Sequence, residues 1–389
     1  MSRIASLIAC AACMYCARAA TLPSAMIEER AGFVSLIGAD TVAVERFTRR
    51  PDVVTGEVVV RSPSIQRTEY SVSLSPNGSM ERFELKRSSG LALDAPVTAR
   101  FSASARGDSV ALRSQRADST ETRMLSAPSG TMLDFPFSTG LEETAIVRSR
   151  SAASEFPVRV RFVGLGGQSF ESVVRRFGAD SAHLITEADT MRGRIGADGR
   201  YVSFGDRSTP PSGASFSRVS WDAASAVIED WARRPNNGAL GPLSGRDTVR
   251  ASVGGGQLSI DYGRPARRGR VIFGGIVPWD VVWRAGAGSA TSLTTSIDLT
   301  IGGTPVPAGT YTLYALPSRS GWKLIINKRP PPDADYHAED DLARIDMSTE
   351  VLAAPVDRFT VGVEPRGGDA VLVLEWDTTR ASVPIVARR

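Results

Sequence analysis

The feature that most constrains this fold is a series of short alternating segments joined by tight turns. In "RTEYSVSLSPNGSMERFELKR" (67–87), apolar and polar residues alternate on both sides of Pro76-Asn77-Gly78. A period of two is typical of half-buried β-strands, and Asn-Gly marks a tight hairpin turn. "APVTARFSASARGDSVALRSQ" (95–115) repeats the scheme with Arg106-Gly107-Asp108 at its turn. Short strands at close spacing favour an antiparallel sheet, either a sandwich or a curved open sheet.

The chain length adds a division into two domains. Its 389 residues exceed one ordinary core, so we expect an all-β protein with two units. Residues 27–231 are predicted to form an N-terminal antiparallel β domain, a curved sheet or a sandwich, that ends in a short helix. Residues 232–248 are a linker by composition. Residues 249–389 are predicted to form a C-terminal antiparallel β-sandwich.

One segment has the pattern of a helix, "WDAASAVIEDWARRPNNG" (221–238). Asp222 can cap its first turn, and Pro235 with Gly238 ends it. Spacings of three and four residues place four apolar side chains on one face, namely Ala224, Val227, Ile228 and Trp231.

Residues 1–19 have the layout of a secretory signal peptide. Arg3 supplies positive charge, an apolar run follows, and Ala17-Arg18-Ala19 offers small residues before a cleavage site. The sequence therefore predicts an exported bacterial protein, periplasmic or extracellular. Leu7-Ile8-Ala9-Cys10 also resembles a lipobox, so a lipid anchor at Cys10 is the alternative. All three cysteines lie within this segment, and a chain cleaved after Ala19 has no disulfide.

The charge balance argues against a nucleic-acid partner. The chain has 46 Lys and Arg against 42 Asp and Glu, a net charge of +4, and both signs are interleaved along it. Nucleic-acid binders cluster their basic residues on one face. After the signal peptide, no stretch reaches the roughly 18 apolar residues that a membrane-spanning helix needs.

The second unit contains several further strand patterns. "GRVIFGGIV" (269–277) and "GTYTLYALP" (309–317) are both predicted to be strands. In the latter, Tyr311, Leu313 and Ala315 share one face, which suits a sheet with one buried side.

Four segments of this unit resemble DUF2911, a bacterial domain family of unknown function. They are "SIDYGRPARRGRVIFGGIVPWDVVWRAGAGSATSLTTSIDLTIGGTPVPAGTYTLYALP", "WKLIINK", "RFTV" and "LVLEWDTTRASVPI". The resemblance implies an extracytoplasmic β-sandwich module, and it supplies no reaction or catalytic residue. The chain departs from the family at Gly286-Ala287-Gly288, where members commonly have Gly-Ala-Asn. It also has "PPPDAD" before Tyr336, where members often have a Trp-Gly pair.

The polar and aromatic side chains of this unit give one candidate ligand site. Its members combine guanidinium, carboxylate and aromatic groups: Tyr262, Arg264, Arg270, Trp283, Arg284 and Glu375. Two other interpretations stay open. The arginines can form internal ion pairs that fix loops, and the tryptophans can belong to the core, where each buries about 150–250 Å².

No motif of the chain predicts a cofactor, a metal or a catalytic residue. The two histidines, His183 and His337, have no partner at metal-ligand spacing, and the acidic segment at 333–341 lacks the glycine of a calcium loop. We therefore expect a non-catalytic binding or structural module, with a small molecule, glycan or envelope component as partner. The alternatives are a carbohydrate-active or other hydrolytic enzyme that uses carboxylates, and a carrier of an apolar ligand in the N-terminal domain.

Overall fold

The computed structural model describes residues 28–388 apart from positions 77, 153–155, 187–189, 206–212 and 332–335. The predicted signal peptide at 1–19, including Cys10, lies outside the described residues. Within them the chain forms 24 β-strands in two sheets and two α-helices, so the all-β prediction is confirmed. No helix in this part of the chain is both long and apolar enough to cross a membrane.

The first sheet contains fifteen strands, and most are short hairpin arms of the kind that the alternating pattern predicts. They are β1 (Glu29–Ile37), β2 (Asp40–Arg49), β3 (Val53–Val60), β4 (Gln66–Leu74), β5 (Met80–Ser89), β6 (Val97–Arg106), β7 (Ser109–Arg116), β8 (Ser119–Ser126), β9 (Met132–Asp134), β10 (Val158–Gly164), β11 (Ser169–Arg176), β12 (Ser181–Ile185), β13 (Thr190–Ile195), β14 (Tyr201–Phe204) and β15 (Ala214–Ser220).

The strand order of the first sheet is 8-7-6-5-4-3-2-1-15-14-13-12-11-10-9. Neighbouring strands are antiparallel throughout, except that β9 pairs with β10 in parallel. Apolar side chains from both ends of this series meet in one core, for example Phe101 on β6 and Phe162 on β10. The sheet therefore curves around its own core, which is the curved-sheet form of the prediction.

The first helix, α1 (Thr139–Ala152), lies on the concave side of the first sheet and was not predicted. Leu141, Ala145 and Ile146 pack into the apolar core. Glu143 is fully buried and accepts hydrogen bonds from Arg49 Nη2 at 2.7 Å and from the backbone N–H of Tyr201 at 2.7 Å. α1 and the surrounding aromatic rings thus occupy the space in which a carrier would hold an apolar ligand.

The second helix, α2 (Trp221–Arg233), is the helix that the sequence predicts. It packs on the opposite, outer face of the first sheet, where Ala224 and Trp231 contact Val44 and Val59. The cap differs from the prediction, because Ser220 and not Asp222 accepts the hydrogen bond from the N–H of Ala223. Asp222 instead lies in the first turn, where a carboxylate interacts favourably with the helix dipole.

The second sheet contains the nine remaining strands. They are β16 (Ser244–Val253), β17 (Gly256–Pro265), β18 (Thr291–Thr295), β19 (Leu299–Ile301), β20 (Thr304–Val306), β21 (Gly309–Leu316), β22 (Trp322–Asn327), β23 (Asp341–Arg366) and β24 (Asp369–Ala387).

The strand order of the second sheet is 16-17-18-21-22-23-24-19-20, and all pairs are antiparallel. The long strand β23 pairs with β22 through its first residues and with β24 through the rest. Rings from distant strands then meet, since Tyr262 on β17 lies 5.7 Å from Phe359 on β23, centroid to centroid. The series folds over one core in two layers, as in a β-sandwich.

The prediction of a strand at 269–277 is wrong. Residues 267–290 form a long loop in which the backbone makes only isolated bridges, such as Trp283 with Ala315. The segment is apolar, but Gly269 and Gly274 have positive φ angles that end an extended backbone. We call residues 267–290 the 267–290 loop.

The two sheets touch where the turn between β1 and β2 meets the 267–290 loop. The N–H of Ala39 donates to the carbonyl oxygen of Arg268 at 2.8 Å, and Arg268 Nη1 pairs with Asp40 Oδ2 at 2.5 Å. A Cβ on Gly38 would lie 2.2 Å from the same carbonyl oxygen, so only glycine permits this approach. The domain boundaries at 231 and 249 stay a prediction.

Candidate functional site

A pocket of about 340 Å³ lies at this contact between the sheets. Its walls are mostly apolar, with Ile37 from β1 on one side and Ile276, Val277 and Trp283 from the 267–290 loop on the other. Trp376 on β24 adds to the apolar wall. Pockets of this size with apolar walls and a few polar groups are typical sites for small molecules.

The turn Ala285–Gly288 forms one rim of the pocket and is held by three side chains. Trp283 Nε1 donates to the carbonyl oxygen of Gly286 at 3.1 Å, and Arg284 Nη1 donates to that of Gly288 at 2.8 Å. Thr291 Oγ1 donates to the carbonyl oxygen of Ala285 at 2.8 Å. These bonds fix the rim before any ligand arrives.

A glycine on the adjacent strand lets this turn lie close to the sheet. A Cβ on Gly263 would come 1.8 Å from the carbonyl oxygen of Ala287, far inside van der Waals contact. The turn itself needs left-handed backbone at Gly288, with φ of 71°. Asparagine, which family members commonly have there, also tolerates this conformation, so the departure at Gly288 preserves the backbone shape.

The aromatic wall of the pocket is continuous with the core of the second sheet. Trp283 and Trp376 lie 5.9 Å apart between ring centroids with an interplanar angle of 20°. Trp283 also contacts Phe359 edge to face at 4.9 Å. Trp376 is almost fully buried, whereas Trp283 is partly exposed. The core interpretation therefore fits Trp376, while Trp283 belongs to both core and pocket.

Three guanidinium groups line the pocket, those of Arg268, Arg270 and Arg284. Arg268 pairs with Asp40, and Arg270 donates to the carbonyl oxygens of Arg267 and Ala266. Among the described residues, Arg284 has no carboxylate within ion-pair distance, and no Asp or Glu lines the pocket. Burial and the neighbouring Arg268 charge lower the pKa of Arg270, which is the direction expected for crowded cations.

The structure brings together three of the six predicted site residues, Arg270, Trp283 and Arg284. The other three lie elsewhere. Tyr262 is 1% exposed and packs in the core against Phe359. Arg264 pairs with Asp247 at 3.2 Å, and Glu375 pairs with Arg380. The pair of Arg264 is largely exposed and that of Glu375 is half-buried, and neither residue lines the pocket between the sheets.

Sequence reasoning missed Arg268 and Ile37, which line the pocket from opposite sheets. Their contact follows from the packing of the two sheets, and no local pattern signals it. The position of Tyr262 did have a signal, because Leu258, Ile260 and Tyr262 alternate on one face of β17 and all are buried.

A second concavity, of about 520 Å³, lies on the first sheet across β4 to β7. It is an open trough with charged side chains of both signs, of which Lys86 pairs with Glu69, whereas Arg100 and Arg113 have no ion pair among the described residues. Arg82 likewise pairs with Glu84 beside it. Arg100 and Arg113 are exposed, so water and salt screen their charges, and the trough lacks the enclosing walls of the pocket between the sheets.

Three carboxyl groups with raised pKa values lie around α1: Glu45 is buried, whereas Glu142 and Asp134 are half-buried. Burial raises the pKa of Glu45 to about 8, and hydrogen bonds from Tyr70 and the N–H of Gly140 offset part of this rise. Burial likewise raises the pKa of Glu142 to about 7 and that of Asp134 to about 6. Glu45 lies in the packed interior between the sheet and the start of α1, so its ionisation bears on stability.

The carboxylates that a hydrolase would need do not face one another across the pocket. Asp341 accepts hydrogen bonds from Tyr336 and Arg344, Asp377 pairs with Arg267, and Asp280 is exposed. Among the described residues, no group of three or more His, Cys, Asp or Glu could hold a metal ion. Asp333 and Asp335 lie outside the described residues.

Comparison with known proteins gives distant structural similarities. No curated protein matches the chain. A DUF1089 family protein from Pseudomonas aeruginosa matches with 14% identity and a TM-score of 0.30, over 43% of this chain and 92% of that one. A β-barrel-like protein of the domain of unknown function DUF1849 from Brucella abortus matches with 10% identity and a TM-score of 0.34, over 50% of this chain and 95% of that one.

The family comparison agrees with the motifs of the second sheet. Its matched range begins at the first residue of β16 and ends within β24. The predicted resemblance is therefore confirmed for the C-terminal region: residues 244–385 match DUF2911, described as a protein of unknown function, and the N-terminal region has no family match.

Proposed function

We propose that this chain is an exported, non-catalytic binding module whose ligand site is the pocket between the two sheets. The observation that carries the proposal is the combination of an apolar wall at Trp283 with a rim whose hydrogen bonds are already made. A preformed site loses little conformational entropy when a ligand binds, which favours affinity.

The carboxylates support binding over hydrolysis. Glycoside hydrolysis needs two carboxyl groups about 5–10 Å apart across a cleft. Asp341, Glu375 and Asp377 instead make ion pairs within the fold, and none of them lines the pocket. The site thus contains groups that hold a ligand and lacks the pair that would cleave one, among the residues described.

Export is supported by the sequence of residues 1–19 alone. We expect the protein in the periplasmic or extracellular fraction with a mature N-terminus at Ala20, which mass spectrometry of the purified protein measures. A mature chain that begins at Cys10 with an added lipid mass would identify a lipoprotein instead.

Binding in the pocket is tested with a neutral apolar fluorophore, N-phenyl-1-naphthylamine, and two matched variants. Ala287→Phe adds bulk at the pocket rim, whereas Ala308→Phe adds the same bulk at an exposed position that does not line the pocket. We expect saturable binding by the native protein, about tenfold weaker binding by Ala287→Phe and no change in Ala308→Phe. No binding by the native protein, or equal binding by all three, would contradict the proposal.

The absence of catalysis is tested separately. We expect purified protein to leave a panel of glycans, esters and peptides intact. Turnover of any member that is abolished by Arg284→Gln and retained by Arg366→Gln, a change at an exposed arginine outside the pocket, would show that the site is an active site.

A further inference from the structure

The charges of the pocket indicate which ligands it takes, provided that the proposed binding function holds. The described lining contains three arginines and no acidic residue. A cluster of cations is unfavourable by itself, since like charges repel and burial removes their hydration. Asp40 pairs with Arg268, whereas Arg284 has no ion pair among the described residues, so positive charge remains at the pocket rim.

Arg284 is placed to meet a ligand. It is exposed, it lines the pocket, and its Nη1 is held by the carbonyl oxygen of Gly288 at 2.8 Å. This single bond orients the guanidinium and leaves its other N–H groups for a partner. A guanidinium presents paired N–H donors whose spacing matches a carboxylate.

Arg268 gives an independent indication. Its side chain is 8% exposed, and its Nη1 pairs with Asp40. Its Nε is buried and has no hydrogen-bond acceptor in the described part of the chain. That nitrogen is shielded from solvent and hence from a ligand in the pocket, so Arg268 acts on a bound anion through its charge.

The remaining walls determine the body of the ligand. Ile276, Val277 and Trp283 present apolar surface, and the partly exposed ring of Trp283 offers a face for stacking. We infer that the pocket binds small molecules that join a carboxylate to an apolar, ring-containing body, with the carboxylate at Arg284, close to the positive charge of Arg268, and the body against Trp283.

The test compares 1-naphthaleneacetate with its neutral amide, 1-naphthaleneacetamide, by isothermal titration calorimetry at neutral pH. The two probes have the same apolar body and differ in charge. We expect the native protein to bind the carboxylate at least about tenfold more tightly, because hydrogen bonds to charged groups are the stronger ones. High salt reduces this preference.

Two variants assign the preference to the pocket. Arg284→Gln removes a charge that lines the pocket, and Arg366→Gln removes the same charge at an exposed site outside it. We expect Arg284→Gln to lower carboxylate affinity about tenfold and amide affinity much less, because the variant removes the charge together with the single rim bond to Gly288. Arg366→Gln leaves both affinities as in the native protein.

The outcomes separate this inference from the proposed function. Equal affinities for carboxylate and amide, or a carboxylate preference that survives Arg284→Gln, overturn the inference but leave a binding pocket. If N-phenyl-1-naphthylamine binds but the carboxylate does not, the inference is likewise overturned and the binding pocket remains. Failure of the native protein to bind any of the three probes overturns both the inference and the proposed function.

Discussion

Arg49 is a buried charged residue of the first sheet that contacts α1. Its side chain is 2% exposed, and it donates to Glu143 at 2.7 Å and to Thr144 Oγ1 at 2.9 Å. Glu143 and Thr144 lie on α1, so this arginine on β2 fastens the helix to the sheet. No local pattern could predict the pair, because its members are 94 residues apart in sequence.

Replacing Arg49 is therefore expected to destabilise the protein strongly. Arg49→Met removes one of the two arginines that pair with Glu143, while Arg218 remains, so we expect a loss of about 2–3 kcal/mol, below the roughly 3–5 kcal/mol for a buried charge left without any partner. Arg50→Met is the matched control, since its pair with Glu28 is exposed and is worth at most about 1 kcal/mol. Urea denaturation measures both, and similar losses in the two variants would contradict this account.

Glu45 makes the stability depend on pH. Burial raises its pKa to about 8 from 4.5, against the opposing effects of Tyr70, Gly140 and Arg49, and the nearby Glu143 carboxylate adds to the rise. A raised pKa in the folded state stabilises the protein below pH 4.5, and this contribution is lost as the pH rises towards 8.

Glu45→Gln should remove that dependence. Glutamine stays neutral, so the variant is expected to gain stability relative to the native protein between about pH 5 and pH 8, at about 1.4 kcal/mol for each unit of pKa shift. Thermal unfolding at a series of pH values measures the difference. Parallel pH profiles for the two proteins would show that Glu45 does not titrate in this range.

At the scale of elements, the turn Ala285–Gly288 depends on Gly263 of β17. Because a Cβ at this position meets the carbonyl oxygen of Ala287, Gly263→Ala must displace the turn. We expect a loss of about 1–3 kcal/mol in stability and a clear loss of probe binding. Gly245→Ala on β16 is the control, since its Cβ meets no atom within 4 Å.

Two measurements test the role of this turn: fluorescence gives probe binding, and denaturation gives stability. A Gly263→Ala variant that is as stable as Gly245→Ala and binds the neutral probe equally well would show that the turn does not form the pocket rim.

The elements differ in how far the sequence predicts them. The hairpins of the first sheet and α2 follow from periods of two and of three to four residues, as in the buried Ala224 and Trp231. α1 was missed because its buried face carries Glu143 and Thr144, which resemble a polar surface until Arg49 is placed beside them. The apolar pattern at 269–277 predicts a strand, but these residues pack in the core or line the pocket without joining a sheet, as Ile272 and Ile276 do.

At the scale of the whole molecule, the pocket exists because two sheets meet. Ile37 and Asp40 come from the first sheet, whereas Arg268 and Arg284 come from the second. The sequence placed Trp283 and Arg284 in one candidate site because they are neighbours within a single unit. The rest of the pocket lining could not be predicted from the sequence, because only the packing of the two sheets brings Ile37 and Arg268 together.

This contact makes Asp40 a modulator of binding. Asp40→Asn removes the carboxylate that pairs with Arg268, so the positive charge beside the pocket is no longer offset. We expect the affinity for 1-naphthaleneacetate to rise a few-fold while the affinity for the amide stays constant. Asp369→Asn, at an exposed position on β24, controls for the change in net charge. Equal effects of the two variants in calorimetry would exclude a specific role of the pair.

The most direct test of the central claim is a crystal structure of the full chain with 1-naphthaleneacetate. The account predicts the carboxylate within hydrogen-bond distance of Arg284 and the ring against Trp283. A probe bound elsewhere at saturating concentration, with an unoccupied space between Ile37 and Trp283, would contradict it.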